Sequence, residues 1–325
     1  MGAGSNRVDR FELITMGRVG VDLYPQQIDV PLEHVTTFTR SLGGSATNVA
    51  VAAARLGVRA AVITKVGAEQ FGVYVREALE RFGVDARYVG VHPTLRTPIV
   101  FCEIHPPDDF PILFYREPTA PDMTLAVDEL DYDAIRAARV LWTTGTGLSA
   151  QPSRDATLAA LGARAGSAPG AMTIHDLDHR PVFWDDDATA GRWAREALRH
   201  ATVAVGNQQE VAVAVGSDDP LEASAALLEL GVAVAIVKRG PAGVLARTAD
   251  GVVEIDPVPC TVVNGLGAGD AFGGALVHAL LAGWSLEDAI RFANAAGSFV
   301  AARFACADAM PTIEDLAEHV PAVRA

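Results

Sequence analysis

The chain has 325 residues and a formal net charge of −14, with 40 acidic side chains against 26 basic ones. That balance argues against nucleic acid or an anionic membrane as the main partner. At this length a core closes without metal or disulfide staples. Half the residues are hydrophobic, and the abundance of Ala, Val, Leu and Gly suits buried parallel strands under Ala-rich helices. Cys102, Cys260 and Cys306 show no metal spacing and read as reduced thiols of a cytoplasmic protein. Residues 1–9 are polar and Gly-rich, without the apolar segment of a signal peptide, so export is not expected. The apolar run at 231–237 is too short to span a bilayer.

In chain order, residues 11–16 read as a short strand ended by Gly17, with Asp22 just beyond. An ionised carboxylate offers only acceptors and can take hydrogen bonds from sugar hydroxyls; a solvated loop Asp is the plainer alternative. Gly43 and Gly44 open a helix that carries Asn48 in its first turns. Two glycines there let a ligand approach the backbone, while capping by Ser45 or Thr47 competes as an explanation. Val49, Ala53 and Leu56 fall on one helix face, and Gly57 is placed to end it. A strand at 59–66 and a helix at 70–82 follow.

Residues 97–115 break this rhythm. Alternating stretches at 98–104 and 111–116 flank a turn at 106–109 and predict a hairpin, with 28–38 as a further candidate strand. Extended pieces inserted at about 20–42 and 95–120 predict a small sheet usable as a lid. Tyr115 and Arg116 fall at its end. Arginine suits a planar carboxylate through paired hydrogen bonds, although a lone surface Arg is the plainer reading.

From residue 139 strands alternate with helices: strands at 140–144, 172–175, 202–205 and 232–237, helices at 153–165, 190–200, from 208, and at 221–230. Such alternation gives a parallel sheet with right-handed crossovers, which binds ligands at the carboxyl ends of its strands. Polar residues stand at those ends: Asp176, Asp178 and Arg180, then Asn207 and Glu210, then Lys238, Arg239 and Gly240.

Residues 261–263 read as a last strand leading into Asn264-Gly265-Leu266-Gly267-Ala268-Gly269-Asp270, and 271–282 as a helix of small residues. Glycines leave backbone N–H groups open there, and a helix N-terminus attracts phosphate. A carboxylate beside such a cradle is repelled by phosphate, so a functional reason is needed: Asp270 as general base on a hydroxyl that attacks a phosphoryl group. An Asp favoured by the helix dipole is the bland alternative. A dinucleotide-binding turn fits poorly, because the glycine spacing is wrong and no second strand follows. The coincidence of polar groups with strand ends favours a phosphate-plus-polyol site.

Gly43-Gly44-Ser45-Ala46-Thr47-Asn48, running on through Gly57 to Gly67, pairs with Gly267-Ala268-Gly269-Asp270, and Asn207-Gln208-Gln209-Glu210 lies between them. On these motifs the chain resembles the ribokinase-like (PfkB) carbohydrate kinases over essentially its whole length. Within that family it looks most like the branch acting on 5-dehydro-2-deoxy-D-gluconate in myo-inositol catabolism. The supporting segments are 21–24, 107–116, 176–181 and 306–311; related 2-dehydro-3-deoxygluconokinases usually carry Asn where this chain has Asp178.

The resemblance implies an α/β, three-layer fold with a mostly parallel central sheet flanked by helices, plus a small β-sheet lid, in one kinase domain over 1–325. It implies ATP-dependent phosphorylation of the C6 hydroxyl, with 2-dehydro-3-deoxygluconate or a ketose such as fructose as alternative substrates. Asp270 would be the base and the N–H groups of Gly267, Ala268 and Gly269 the anion hole. Asp22, Gly43, Gly44, Asn48 and Tyr115 would bind the sugar, with Arg116 and Arg180 available to pair with its carboxylate. Asn207, Lys238, Gly240, Gly243, Asn264 and Asn294 would surround the nucleotide, and Glu210 would help hold Mg²⁺. A homodimer through the lid sheet is implied as well. Asn264-Gly265 replaces the Asp-Thr of many relatives, which leaves dependence on K⁺ open, and Gly20 replaces a common Asn.

Overall fold

In the computed structural model residues 11–319 are described; the expectation for the polar N-terminal segment falls outside these residues up to position 10. The first half of the chain gives β1 (Leu13–Met16), β2 (Gly20–Pro25), β3 (Phe38–Gly43), α1 (Ser45–Arg55), β4 (Ala60–Gly67), α2 (Gln70–Arg81), β5 (Val89–His92), β6 (Ile99–Cys102) and β7 (Ile112–Tyr115). Next come α3 (Tyr132–Ala137), β8 (Val140–Thr144), α4 (Ser153–Ala163), β9 (Met172–Asp176), α5 (Asp187–Leu198), β10 (Val203–Asn207), α6 (Gln208–Val215) and α7 (Pro220–Glu229). The last are β11 (Val234–Lys238), β12 (Val244–Thr248), β13 (Gly251–Ile255), α8 (Ala268–Leu281) and α9 (Leu286–Ala301).

Nine strands form one sheet in the order β13-β12-β11-β10-β9-β8-β1-β4-β5. All neighbours from β11 to β5 pair in parallel, and only the β11–β12 and β12–β13 pairings are antiparallel. The central strands are buried on both faces, as continuous apolar runs require. Successive side chains divide between the faces: Leu13 and Val140 pack with α1, α8 and α9, while Ile14 and Leu141 pack with α3 and α4. Small residues bring α8 close to its neighbours. A Cβ on Gly273 would sit 2.7 Å from the Trp142 ring, and one on Gly274 would overlap Ala52 of α1. This packing carries the glycine-rich start of α8 to the carboxyl edge of the sheet.

The second sheet has four strands, β3-β2-β6-β7, with β2 and β6 parallel and the outer pairs antiparallel. The hairpin read at 98–116 is β6–β7. Residues 28–38 are not its extra strand: Pro31 caps a short 3₁₀ turn at Leu32–His34, and pairing begins only at Phe38. Asp22 lies within β2, not in a loop after β1.

Residues 261–263 form no strand either. Pro257 and Pro259 supply no N–H for a ladder, and the β12–β13 hairpin, unforeseen from sequence, occupies that edge. The N–H groups of Val263 and Asn264 instead both reach Ala301 O, at 2.8 and 3.1 Å. α8 begins at Ala268, three residues before the predicted start, with Gly267 as its cap at φ +82°. Asp270 therefore stands inside the first helical turn.

Candidate active site

Two cavities open at the carboxyl edge of the large sheet, and they share Arg180, Leu266, Gly267 and Asp270. The smaller, about 60 Å³, lies between this edge and the small sheet. The larger is a cleft of about 740 Å³ running toward β12 and α9.

Asp270 sits at their junction. Asn48 Nδ2 of α1 donates to its Oδ2 at 2.9 Å. Burial raises the Asp270 pKa to about 6; the Asn48 hydrogen bond and the charges of Lys238 and Arg180 oppose that, and Asp178 adds to it. The group is thus chiefly ionised at neutral pH yet close enough to titration to take a proton. Gly267, Ala268 and Gly269 provide the first N–H groups of α8, which have no partner within the helix. Lys238 ends β11 beside them: a Cβ on Gly269 would lie 3.2 Å from Lys238 Nζ. Burial alone would lower the Lys238 pKa, but Asp176, Glu210 and Asp270 raise it, so the ammonium stays charged.

Asp22, Gly44 and Asn48 line the smaller pocket. Gly43 underlies it, because a Cβ there would overlap the Asp22 carboxylate. Asp22 is buried and its pKa is pushed up to about 7, against a 3.2 Å hydrogen bond from Tyr24 and the Arg18 charge. Asn48 Oδ1 is buried and makes no hydrogen bond to a described residue. Arg116 lines the pocket but is ion-paired to Asp122. Arg180 lies 3.2 Å from Asp178.

Tyr115 does not join this pocket. Strand alternation turns it to the outer face of the small sheet, 61% exposed and edge-on to Phe101, while Phe114 faces inward and lines the pocket. Asn264 departs from expectation too. It is buried, gives Nδ2 to Phe304 O at 2.9 Å, accepts from Leu266 N at 3.0 Å, and lines neither cavity. Its amide braces the glycine loop from below.

Asn207, Glu210, Lys238, Gly240, Gly243 and Asn294 line the larger cleft. Asn207 and Glu210 also form a reciprocal cap on α6, at 2.7 and 2.9 Å. The second Glu210 oxygen makes no hydrogen bond to a described residue. Gly243 has φ +80°, and a Cβ there would overlap Ile255 O. Asn294 donates to Asp256 O at 2.8 Å. No group of three or more His, Cys, Asp or Glu side chains converges on a metal position among the described residues; Glu210 is a cleft carboxylate that could hold Mg²⁺ together with phosphate oxygens and water.

Sequence reading passed over a buried cluster. Arg18, immediately past β1, bonds Thr146, Ser45 and Asp178. Burial would raise the Asp178 pKa, but Arg18 and Arg180 hold it below the usual carboxylate range. The signal was available: Arg18 follows a strand at the same edge as the residues read after β9, β10 and β11.

An alcohol in the small pocket and a triphosphate in the large cleft would meet at one carboxylate backed by main-chain amides, the arrangement of a small-molecule kinase. The chain belongs to the pfkB family of carbohydrate kinases, whose model matches residues 11–313. It is 31% identical over 318 residues to a 5-dehydro-2-deoxygluconokinase of Clostridium perfringens, covering 96% of this chain and 93% of that one. It is likewise 31% identical over 323 residues to a 5-dehydro-2-deoxygluconokinase of Geobacillus thermodenitrificans, covering 97% and 95%. Among solved structures, the fructokinase of Vibrio cholerae O395 bound to fructose, ADP and calcium superposes with a TM-score of 0.84 at 24% identity, over 96% and 99% of the two chains. An Escherichia coli protein provisionally named a ribokinase II, in complex with ATP and Mg²⁺, superposes with a TM-score of 0.86 at 24% identity, over 95% and 98%. These structures share the fold.

Proposed function

We propose that the protein is a cytoplasmic, ATP-dependent kinase for the C6 hydroxyl of 5-dehydro-2-deoxy-D-gluconate. The observation that supports this most is the position of Asp270 at the junction of a guanidinium-lined pocket and a nucleotide-sized cleft. The names of the relatives in Clostridium and Geobacillus point to the same substrate.

Asp270 accepts the hydroxyl proton as the oxygen attacks the γ-phosphoryl group, and Asn48 fixes one of its oxygens. Asp22 and Asn48 take the substrate hydroxyls; Gly43 leaves room for the Asp22 carboxylate, and Gly44 lets the chain lie against the Arg18 backbone beside the sugar. Charge spreads over the phosphoryl oxygens in the transition state. The N–H groups of Gly267, Ala268 and Gly269 stabilise it together with Lys238. Glu210 would help hold Mg²⁺, and Asn207 would lie beside the phosphates. When bound, Mg²⁺ supplies charge neutralisation at the phosphate oxygens. Gly240, Gly243 and Asn294 line the nucleoside end. Arg116 and Arg180 serve the carboxylate end of the sugar acid.

Residues 1–325 act as one kinase domain with the small sheet as its lid. That sheet also pairs two copies: its outer face carries Phe38, Phe101 and Tyr115 in an edge-to-face row, with Leu113 exposed beside them. Light scattering giving a monomer mass would refute the pairing.

ADP release measured with 5-dehydro-2-deoxy-D-gluconate, 2-dehydro-3-deoxygluconate and D-fructose tests the substrate. The highest kcat/KM is expected on the first. A higher value on either of the others would overturn the assignment.

A further inference from the structure

Arg18 is 6% exposed, yet it lines the pocket that contains Asp270. Its Nε donates to Thr146 Oγ1 at 2.9 Å, and its Nη2 reaches Ser45 Oγ at 3.3 Å and Asp178 Oδ2 at 3.1 Å. Nη1 has no hydrogen-bond partner among the described residues. Arg116 is held in the same half-used way: Nη2 binds Asp122, and Nε and Nη1 bind no described residue. The two guanidiniums flank one aromatic ring, 5.6 and 5.5 Å from the Phe183 centroid. None of these three nitrogens is among the fully buried polar atoms left without a partner, and both arginines line the pocket.

Burying a guanidinium is costly unless its donors are used. The protein gives each of these arginines one carboxylate, Asp178 or Asp122, and leaves Arg18 Nη1 and Arg116 Nε and Nη1 unused, with both side chains lining one pocket. Hydrogen bonds donated to Thr146, Ser45 and Asp178 fix the Arg18 plane, so its remaining nitrogen is held in place. Two such guanidiniums fit a planar anion with two oxygens, which accepts from both. A hydroxymethyl group in that position offers one oxygen and no charge.

We propose that Arg18, together with Arg116, reads the carboxylate of the sugar acid and sets the preference for an acid over a neutral ketose, with Asp178, Ser45 and Thr146 positioning the Arg18 guanidinium. This rests on the sugar-acid reading above and adds to it a specificity-determining residue that the sequence motifs did not mark.

The test uses the full-length enzyme and three measurements: KM for 5-dehydro-2-deoxy-D-gluconate, KM for ATP, and the constant for competitive inhibition by D-fructose. Wild-type enzyme must first favour the acid over the ketose; equal constants would sink the sugar-acid reading and this proposal with it. Arg18→Met is then expected to raise KM for the acid by about 100-fold. KM for ATP and the fructose constant stay within about threefold, because those ligands do not use the carboxylate forks. Arg18→Lys keeps the charge beside Asp178 but lacks the planar fork, and an increase of about tenfold is expected. Should Arg18→Met show no folded melting transition, the lysine variant decides by itself. If wild type prefers the acid and the folded variants keep that preference undiminished, Arg18 has no part in reading the carboxylate.

Discussion

Asn48 and Asp270 are separated by 222 positions in the chain, and the amide of one donates to the carboxylate of the other at 2.9 Å. The bond ties α1, which carries the sugar-side glycines, to the first turn of α8, which carries the anion cradle. It also favours the charged form of Asp270 against the burial that raises its pKa to about 6. A general base works ionised, so kcat/KM should fall as pH drops through about 6. Asn48→Ala removes the donor, and the acid limb should move to higher pH. Profiles of kcat/KM against pH for both proteins measure this. A limb near pH 7 that Asn48→Ala leaves in place would belong to Asp22, and the base assignment would lose its support.

Gly267→Ala should separate backbone strain from damage to the cradle. Its φ of +82° disfavours any Cβ by roughly 1–2 kcal/mol. The new Cβ would also lie 2.5 Å from Cys306 Sγ, so the loop must shift. Gly57→Ala is the control: φ is +87° and nothing lies within 4 Å. Both variants should melt lower, by about 1.5 °C per kcal/mol for a chain of this length. Only Gly267→Ala should lose kcat, by about tenfold or more. Equal kcat in the two would mean the cradle does not stabilise the transferred group.

Asp176 gives a pH-dependent stability change. It is buried beside Glu210, Asp178 and Asp270, and burial foremost raises its pKa to about 8, although Lys238 opposes this. Its unfolded value is about 3.9. Between those two values the unfolded chain has released the proton and the folded chain retains it, so stability falls as pH rises from about 4 to 8. Asp176→Asn removes that loss. The variant should be more stable than wild type at pH 8, by about 1 kcal/mol or more, with a smaller difference at pH 5. Thermal melts at the two pH values read it, and a larger gain at pH 5 would contradict it.

Much of the fold was legible because its signals are local. The alternation after residue 139 gave the parallel strands in their correct places, and Gly57 ends α1 at φ +87° as its position suggested. The β6–β7 hairpin was read from its alternation and turn. Losses came where a local signal was ambiguous or the deciding contact was distant. The apolar stretch at 261–263 has strand composition, but Pro257, Pro259 and the β12–β13 hairpin leave it no ladder to join. The Asp250-Gly251 turn was the available clue to that hairpin. Tyr115 and Phe114 are adjacent in sequence and face opposite ways, and only the register of β7 decides which enters the pocket. Asn264 resembles a ligand-facing polar residue until Phe304 and Leu266 are seen to use its amide. The strand-end position of Arg18 was visible, but its pairing with Asp178, 160 positions away, was not.

Replacing Asp270 by Asn tests the kinase mechanism most directly, since the amide keeps the shape and loses the base. Rapid-quench measurement of phosphorylated sugar in a single turnover, alongside calorimetry of ATP binding, separates chemistry from affinity. Turnover should fall by about a thousandfold or more, while ATP binds within about threefold of wild type. Phosphoryl transfer at the wild-type rate in Asp270→Asn would contradict the role given to that carboxylate.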